Sequence, residues 1–173
     1  MSEVVTLREA TRLTTLQSGS KVFLDSNIFT YHLSGHSVFG EPCREFLKNI
    51  ERGIYEGYVN DVVFSEVLLN YIKSELFRQR GIKPHKVVQE IKRDPSQLDL
   101  VNFDVVTNLL EHLGVETLPI SCDCNELVKI IQEHLLLPHD ALHVVTMHRY
   151  GIPHIATNDP DFERVDWLTV WKP

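Results

Sequence analysis

Residues 21–29 read KVFLDSNIF: four residues of strand-forming character run straight into an aspartate, a serine and an asparagine. A run so short and so uniformly apolar fits a central strand of a parallel sheet, buried on both faces, better than a half-exposed strand, which would alternate polar and apolar positions. Asp25 then stands at the carboxyl end of that strand, where open α/β sheets place their ligands.

Outward from this strand, the apolar spacing alternates between short strands and helices. A helix is expected over residues 38–52 (Phe39, Cys43, Phe46, Leu47, Ile50), closed by Gly53, and a strand over 55–59. Residues 61–77 carry Val63, Val67, Leu68 and Tyr71 on one helical stripe, with Glu66 in the first or second turn. Further on come a helix at 103–113, a strand at 115–118, a helix capped by Asp123 and Glu126, and a helix from His139 to the stop at Gly151. A strand at 153–156, the polar turn TNDPDF and a last strand at 168–171 complete the pattern. Strands alternating with helices predict an α/β fold whose parallel sheet is covered on both sides. Phe23, Phe39, Phe46, Phe64 and Phe103 fall at core spacing.

Two segments stand apart. Residues 1–20 hold scattered charges and no apolar run, which argues against a signal peptide. Thr6 and Glu9 form a capping box ahead of Leu7, Ala10, Leu13 and Leu16, so a short helical leader is expected there. Between residues 76 and 100 the pattern turns polar, broken by Gly81, Pro84 and Pro95, and reads as a helical arm inserted into a domain spanning 21–173.

A length of 173 residues with 43% hydrophobic residues suits one domain with an ordinary core. No stretch approaches the ~20 apolar residues that a membrane span needs. Three cysteines (Cys43, Cys122, Cys124) read as reduced thiols of a cytoplasmic protein, and the spacing of the last two is not that of a zinc knuckle. The net charge of -7 leaves nucleic-acid binding to a local basic patch. One exists: Lys73, Arg78, Arg80, Lys83, Lys86, Lys92 and Arg93, seven of the 17 basic residues, lie within residues 71–93. Such a patch reads either as a surface for phosphate contacts, since backbone charge dominates affinity for nucleic acid, or as a solvated helix face with no partner.

Carboxylates recur at strand ends and helix starts: Asp25, Glu66, Asp140, and the pair Asp159 and Asp161. Taken singly, each is an ordinary turn or cap residue. Right-handed crossovers, however, bring all the strand carboxyl ends to one edge of the sheet, where these groups converge. Converging carboxylates repel one another unless some take up protons or a cation joins them. Oxygen-rich ligation suits Mg2+ or Mn2+ rather than zinc, and such ions assist phosphodiester hydrolysis. Ser26 and Thr157 add hydroxyls beside the acids, placed to orient a carboxylate or to stabilise a turn. Tyr31, His32 and His36 follow Asp25 closely enough to line the mouth of a site.

The motifs that carry these acids are strand-D-S-N at 22–27, S-E-V at 65–67, D-A-L-H at 140–143 and T-N-D-P-D-F at 157–162. In order and spacing they resemble the PIN-domain nucleases, and within them the VapC-type toxins and archaeal PIN proteins, over nearly the whole chain from residue 21. The resemblance implies a three-layer α/β/α fold with a parallel sheet of about five strands and a Mg2+- or Mn2+-dependent endoribonuclease. It further implies that Asp25, Glu66 and Asp140 bind metal, with Asp159 as the fourth acid and Asp161 assisting. Asp61 lies close enough to Glu66 in sequence to compete for its place. An RNA substrate, an antitoxin protein and a homodimer are the partners it implies.

Other readings are open to test. A PIN-like fold that binds RNA or protein without cutting would be expected to have lost members of the acid set, which is complete here. His139-Asp140 imitates the doublet of HD-type phosphohydrolases, and His139 and His143 have the i, i+4 spacing of a metal pair. That chemistry needs partners in an all-helical protein, whereas strand signals run throughout this chain.

Overall fold

The computed structural model describes residues 11–173. Six strands form one sheet in the order β1-β6-β5-β2-β3-β4, and every neighbouring pair is parallel. They are β1 Thr11–Arg12, β2 Lys21–Leu24, β3 Glu56–Asn60, β4 Glu116–Leu118, β5 His154–Ala156 and β6 Thr169–Lys172. Successive side chains of a strand point to opposite faces, yet Val22, Phe23 and Leu24 of β2 are all fully buried. Helices therefore cover both faces of the sheet, giving the three-layer α/β/α architecture.

Among the described residues seven α-helices fill the connections: α1 Ser26–Ser34, α2 Gly40–Glu51, α3 Asp61–Arg80, α4 Val87–Arg93, α5 Asp104–Leu113, α6 Cys124–His134 and α7 Pro138–Tyr150. From β2 the chain moves outward through β3 to β4, then returns across the sheet to place β5 on the other side of β2. The strand order thus reverses between β2 and β5, and a crevice opens at the carboxyl ends of strands that diverge in this way. In register, Leu24 lies beside Ala156, and the Asp25 amide donates to the Ala156 carbonyl at 3.1 Å. The residues just past these two strands are consequently neighbours.

The sheet has six strands rather than about five because Thr11–Arg12 pairs with Trp171–Lys172 along the outer side of β6. This also corrects the expected leader. Residues 1–10, with Thr6 and Glu9, lie outside the described residues. Residues 11–15 form a strand and a 3-10 turn instead of a helix, with Leu13 and Leu16 buried in the main core.

Three further differences have local causes. Helix α1 begins directly at Ser26, although no helix was expected between the strand ending at Leu24 and residue 38, because Asp25 itself caps it. Glu126 makes no return cap on α6. Asp123 alone accepts from the amides of Asn125 and Glu126, at 2.8 and 2.9 Å, while the Glu126 carboxylate pairs with Arg149 at 3.1 Å. Phe103 is 36% exposed, so it is no core residue.

The arm at 76–100 is built from the end of α3, α4 and two 3-10 turns, and it closes on a small apolar centre of its own. Leu76, Val87 and Val101 are buried there, separate from the main core, with Ile72, Ile82 and Ile91 packed around them. Gly81 makes the bend out of α3 at φ 68, a left-handed conformation that costs glycine little.

Candidate active site

Asp25 is the most deeply placed carboxylate of the crevice, 7% exposed. Its Oδ1 accepts from the Ser26 amide at 2.6 Å and from the Ser26 hydroxyl at 3.3 Å. Its Oδ2 accepts from the Asn27 amide group and from the Thr157 hydroxyl, each at 2.6 Å. Burial pushes its pKa up, and the hydrogen bonds and the nearby His143 only partly offset that rise. Asp25 therefore combines two roles that were alternatives in the sequence: it caps a helix and it faces the crevice.

The neighbouring acids fall into two groups. Ligand atoms of Asp25, Glu66 and His143 lie within 4.8 Å of one another, as do those of Asp140, Asp159 and Asp161. Burial, followed by the charges of Asp159, Asp25 and Glu66, pushes the Asp140 pKa up to about 6 against the pull of His143, so the second group feels the charge of the first. Glu66 behaves in the opposite way. Burial alone would raise it, but His143, Ser26 and His139 together outweigh burial and hold its carboxyl low.

Each acid is delivered by a distinct element. Asn60 caps α3 by accepting from the Val63 amide at 3.2 Å and anchors it by donating to Thr146 of α7 at 3.0 Å, which presents Glu66 in the second turn of α3. Pro138 opens α7 and puts Asp140 in its first turn, since proline at that position forfeits no helical hydrogen bond. Asp159 closes the turn after β5 by accepting from the Asp161 amide at 2.8 Å. Asp161 is engaged with Arg164 at 2.6 Å, and Arg164 also donates to the Leu135 carbonyl at 2.7 Å. The competitor Asp61 is exposed and belongs to neither acid group among the described residues.

Both hydroxyls singled out in the sequence touch Asp25. Thr157 does so as part of a network: its Oγ1 also accepts from Asn27 and from the Asp159 amide, each at 2.9 Å. Of the three aromatic residues after Asp25, Tyr31 reaches this network by accepting from Asn158 at 3.1 Å.

Sequence reasoning gave no site role to Asn27, and it set aside His139 and His143 along with the HD-type reading. Asn27 ties Asp25 to Thr157 and accepts from the Asn158 amide at 3.3 Å. His139 meets Glu66 at 3.1 Å, and the fully buried His143 lies 3.8 Å from the same carboxylate. The available signal was helical spacing, because i+3 from Asp140 places His143 on the same face.

The chemistry of this donor set suits a divalent cation: carboxylates gathered from four elements, one of them with its pKa raised by burial and, after that, by the others. The basic candidates lie elsewhere. Arg78, Arg80, Lys83 and Lys86 are exposed and Lys73 half-buried, and Arg78 pairs with Glu75 at 2.6 Å. Twelve residues of one helix separate Glu66 from Arg78, about 18 Å at 1.5 Å per residue.

The family model of the PIN domain matches residues 22–168. This chain belongs to the PIN domain family. The ribonuclease VapC2 of Methanocaldococcus jannaschii is 32% identical over 155 residues, covering 87% of this PIN domain chain and 93% of its own. The ribonuclease VapC6 of the same organism is 26% identical over 159 residues, covering 90% and 99%. Among solved structures, VapBC2 from Rickettsia felis bound to a DNA fragment from its promoter aligns with a TM-score of 0.48 at 16% identity, over 88% of this chain and 98% of that one. No helix among the described residues is long and apolar enough to cross a membrane.

Proposed function

We propose that this PIN domain is a divalent-metal-dependent endoribonuclease and the toxin of a toxin-antitoxin pair. The observation that carries the reading is the pair of groups, Asp25 with Glu66 and Asp140 with Asp159 and Asp161, each with ligand atoms within 4.8 Å of one another, together with the rise of the Asp140 pKa to about 6 by burial and by the charges of Asp159, Asp25 and Glu66. Carboxylates so disfavoured as a set are a poor structural solution and a good cation site. The names of the two archaeal relatives, both ribonucleases, point to RNA as substrate.

Asp25, Glu66, Asp140 and Asp159 would hold the ion, Mg2+ or Mn2+. Asp159 is favoured over Asp161 because Arg164 already engages the latter. When bound, the ion supplies charge that activates water and stabilises the departing oxygen of an RNA phosphodiester. Ser26, Asn27 and Thr157 fix the Asp25 carboxylate so that its orientation is set before substrate arrives. Lys73, Arg78, Arg80, Lys83 and Lys86 would hold the RNA backbone at a distance from the scissile bond. The proposal places the enzyme in the cytoplasm as a homodimer restrained by an antitoxin protein. A monomeric mass by light scattering would contradict the dimer.

The decisive experiment is RNA cleavage by the purified chain with and without EDTA, alongside Asp25→Asn and Asp140→Asn. Loss of activity in EDTA and in both folded variants is expected. Cleavage by the variants at the wild-type rate would overturn the assignment.

A further inference from the structure

His143 is the one buried side chain among the described residues whose polar atoms are left without a hydrogen-bond partner: neither Nδ1 nor Nε2 is paired, and the residue is 0% exposed. Burying imidazole nitrogens in this way is unfavourable, and a native structure generally compensates for it with a ligand or ion. The ring is also held in place. Phe23 lies 5.4 Å away and Phe162 6.3 Å away between centroids, on the strand beneath and on the turn beside it.

One of the orphaned nitrogens lies toward the acids. Nε2 lies 3.8 Å from Glu66 Oε2, too far for a hydrogen bond, and a ring nitrogen is within 4.8 Å of ligand atoms of both Asp25 and Glu66. Donors of one octahedral ion with bonds of ~2.1 Å stand ~3 to ~4.2 Å apart, so this spacing suits atoms that share an ion better than atoms that bond to each other.

We propose that His143 is a direct nitrogen ligand of the metal held by Asp25 and Glu66, which makes this a mixed nitrogen and oxygen centre selective for Mn2+ over Mg2+. The inference rests on the metal-site reading above and adds to it a fifth side chain of different chemistry. Oxygen-only sites serve Mg2+ well, whereas an imidazole nitrogen favours the transition metal. His139, which also meets Glu66, is exposed and hydrogen-bonded to it, so its nitrogen is already satisfied.

Electron paramagnetic resonance of the full chain loaded with Mn2+ tests this without reference to activity. Loss of the free-ion signal reports binding, and pulsed detection of nitrogen hyperfine coupling reports an imidazole on the metal. The expected result is coupling in wild type and in His139→Ala that disappears in His143→Phe, with Mn2+ affinity weakened at least ~tenfold and Mg2+ affinity changed less. Phenylalanine preserves the aromatic packing. Should that variant misfold, histidine labelled with 15N in the His139→Ala background still reads the coupling. Mn2+ bound without nitrogen coupling, or coupling that survives in folded His143→Phe, overturns the inference and leaves the carboxylate site intact. Failure of wild type to bind Mn2+ at all overturns both.

Discussion

The hydroxyl of Thr157 donates to Oδ2 of Asp25 at 2.6 Å, although 132 positions separate the two residues in the chain. The contact exists because β2 and β5 run side by side in parallel with Leu24 opposite Ala156, so that the next residue of each strand meets the other at the sheet edge. It is the shortest structural link between the first and the last acid motif.

Removing that hydroxyl while keeping its volume should loosen Asp25 without emptying the core. Thr157→Val is expected to weaken divalent-ion binding by ~10- to 100-fold, the usual effect of losing a partner that orients a ligand. Thr157→Ser should restore most of it. Calorimetric titration with Mn2+ checks this, and equal affinity in Thr157→Val would show that Asn27 suffices.

The raised pKa of Asp140 makes a prediction for the metal-free protein. Its folded value of about 6 lies above the ordinary 3.8, so between these pH values the folded chain holds a proton that the unfolded chain has released. Stability from this group is therefore full below pH ~4, falls as pH rises, and levels off above pH ~6. Asp25 acts in the same sense and Glu66 in the opposite one, so the clean measurement is a difference. The melting temperature of Asp140→Asn relative to wild type should climb from pH 4 to 6 and then stay level. Millimolar Mn2+ should stabilise wild type above pH 6 and the variant far less. A flat difference would contradict the assignment.

Charge on the arm should matter for long substrates only. Arg80, Lys83 and Lys86 have no salt-bridge partner among the described residues; Arg80 is the last residue of a helix whose other end holds Glu66, and Lys83 and Lys86 follow it. Neutralising all three to glutamine should weaken binding of a long RNA and reduce the slope of log affinity against log salt by ~2. Cleavage of an oligonucleotide too short to reach the arm should be unchanged. An unaltered salt slope would remove the arm from the binding surface.

Leu135, joined to the acids only through the Arg164 that its carbonyl and Asp161 share, offers a test of stability. It ends α6 in a left-handed conformation at φ 54 while 74% exposed, so it gives up backbone ease and buries little in return. Leu135→Gly is expected to stabilise the chain by ~0.5 to 1 kcal/mol in denaturant unfolding, since glycine adopts this conformation without the side-chain clash. A lower midpoint would mean that the leucine contributes a contact worth more than the strain.

Much of this was legible because it follows from local pattern. The apolar run before Asp25, the stripe of Val63 and Val67 and the breaks at Gly81 and Gly151 each report on the residues beside them, and those elements stand where periodicity put them. The convergence of the acids also followed, because a parallel sheet leaves the strand ends no other edge to reach. What stayed hidden depended on distant partners. Thr11–Arg12 becomes a strand only because β6 offers it an edge, and Glu126 leaves its cap because Arg149 stands nearby. His143 showed in the sequence only its i, i+4 spacing from His139, and its burial against Glu66 depends on the fold.

The separate apolar centre under the arm divides the labour of α3 between two neighbourhoods. Its first turns are fastened by Asn60 and Thr146, while its last turn is fastened by Val87 and Val101. Opening of the arm would expose only the smaller centre, and the amides around Glu66 would keep their protection against exchange with solvent.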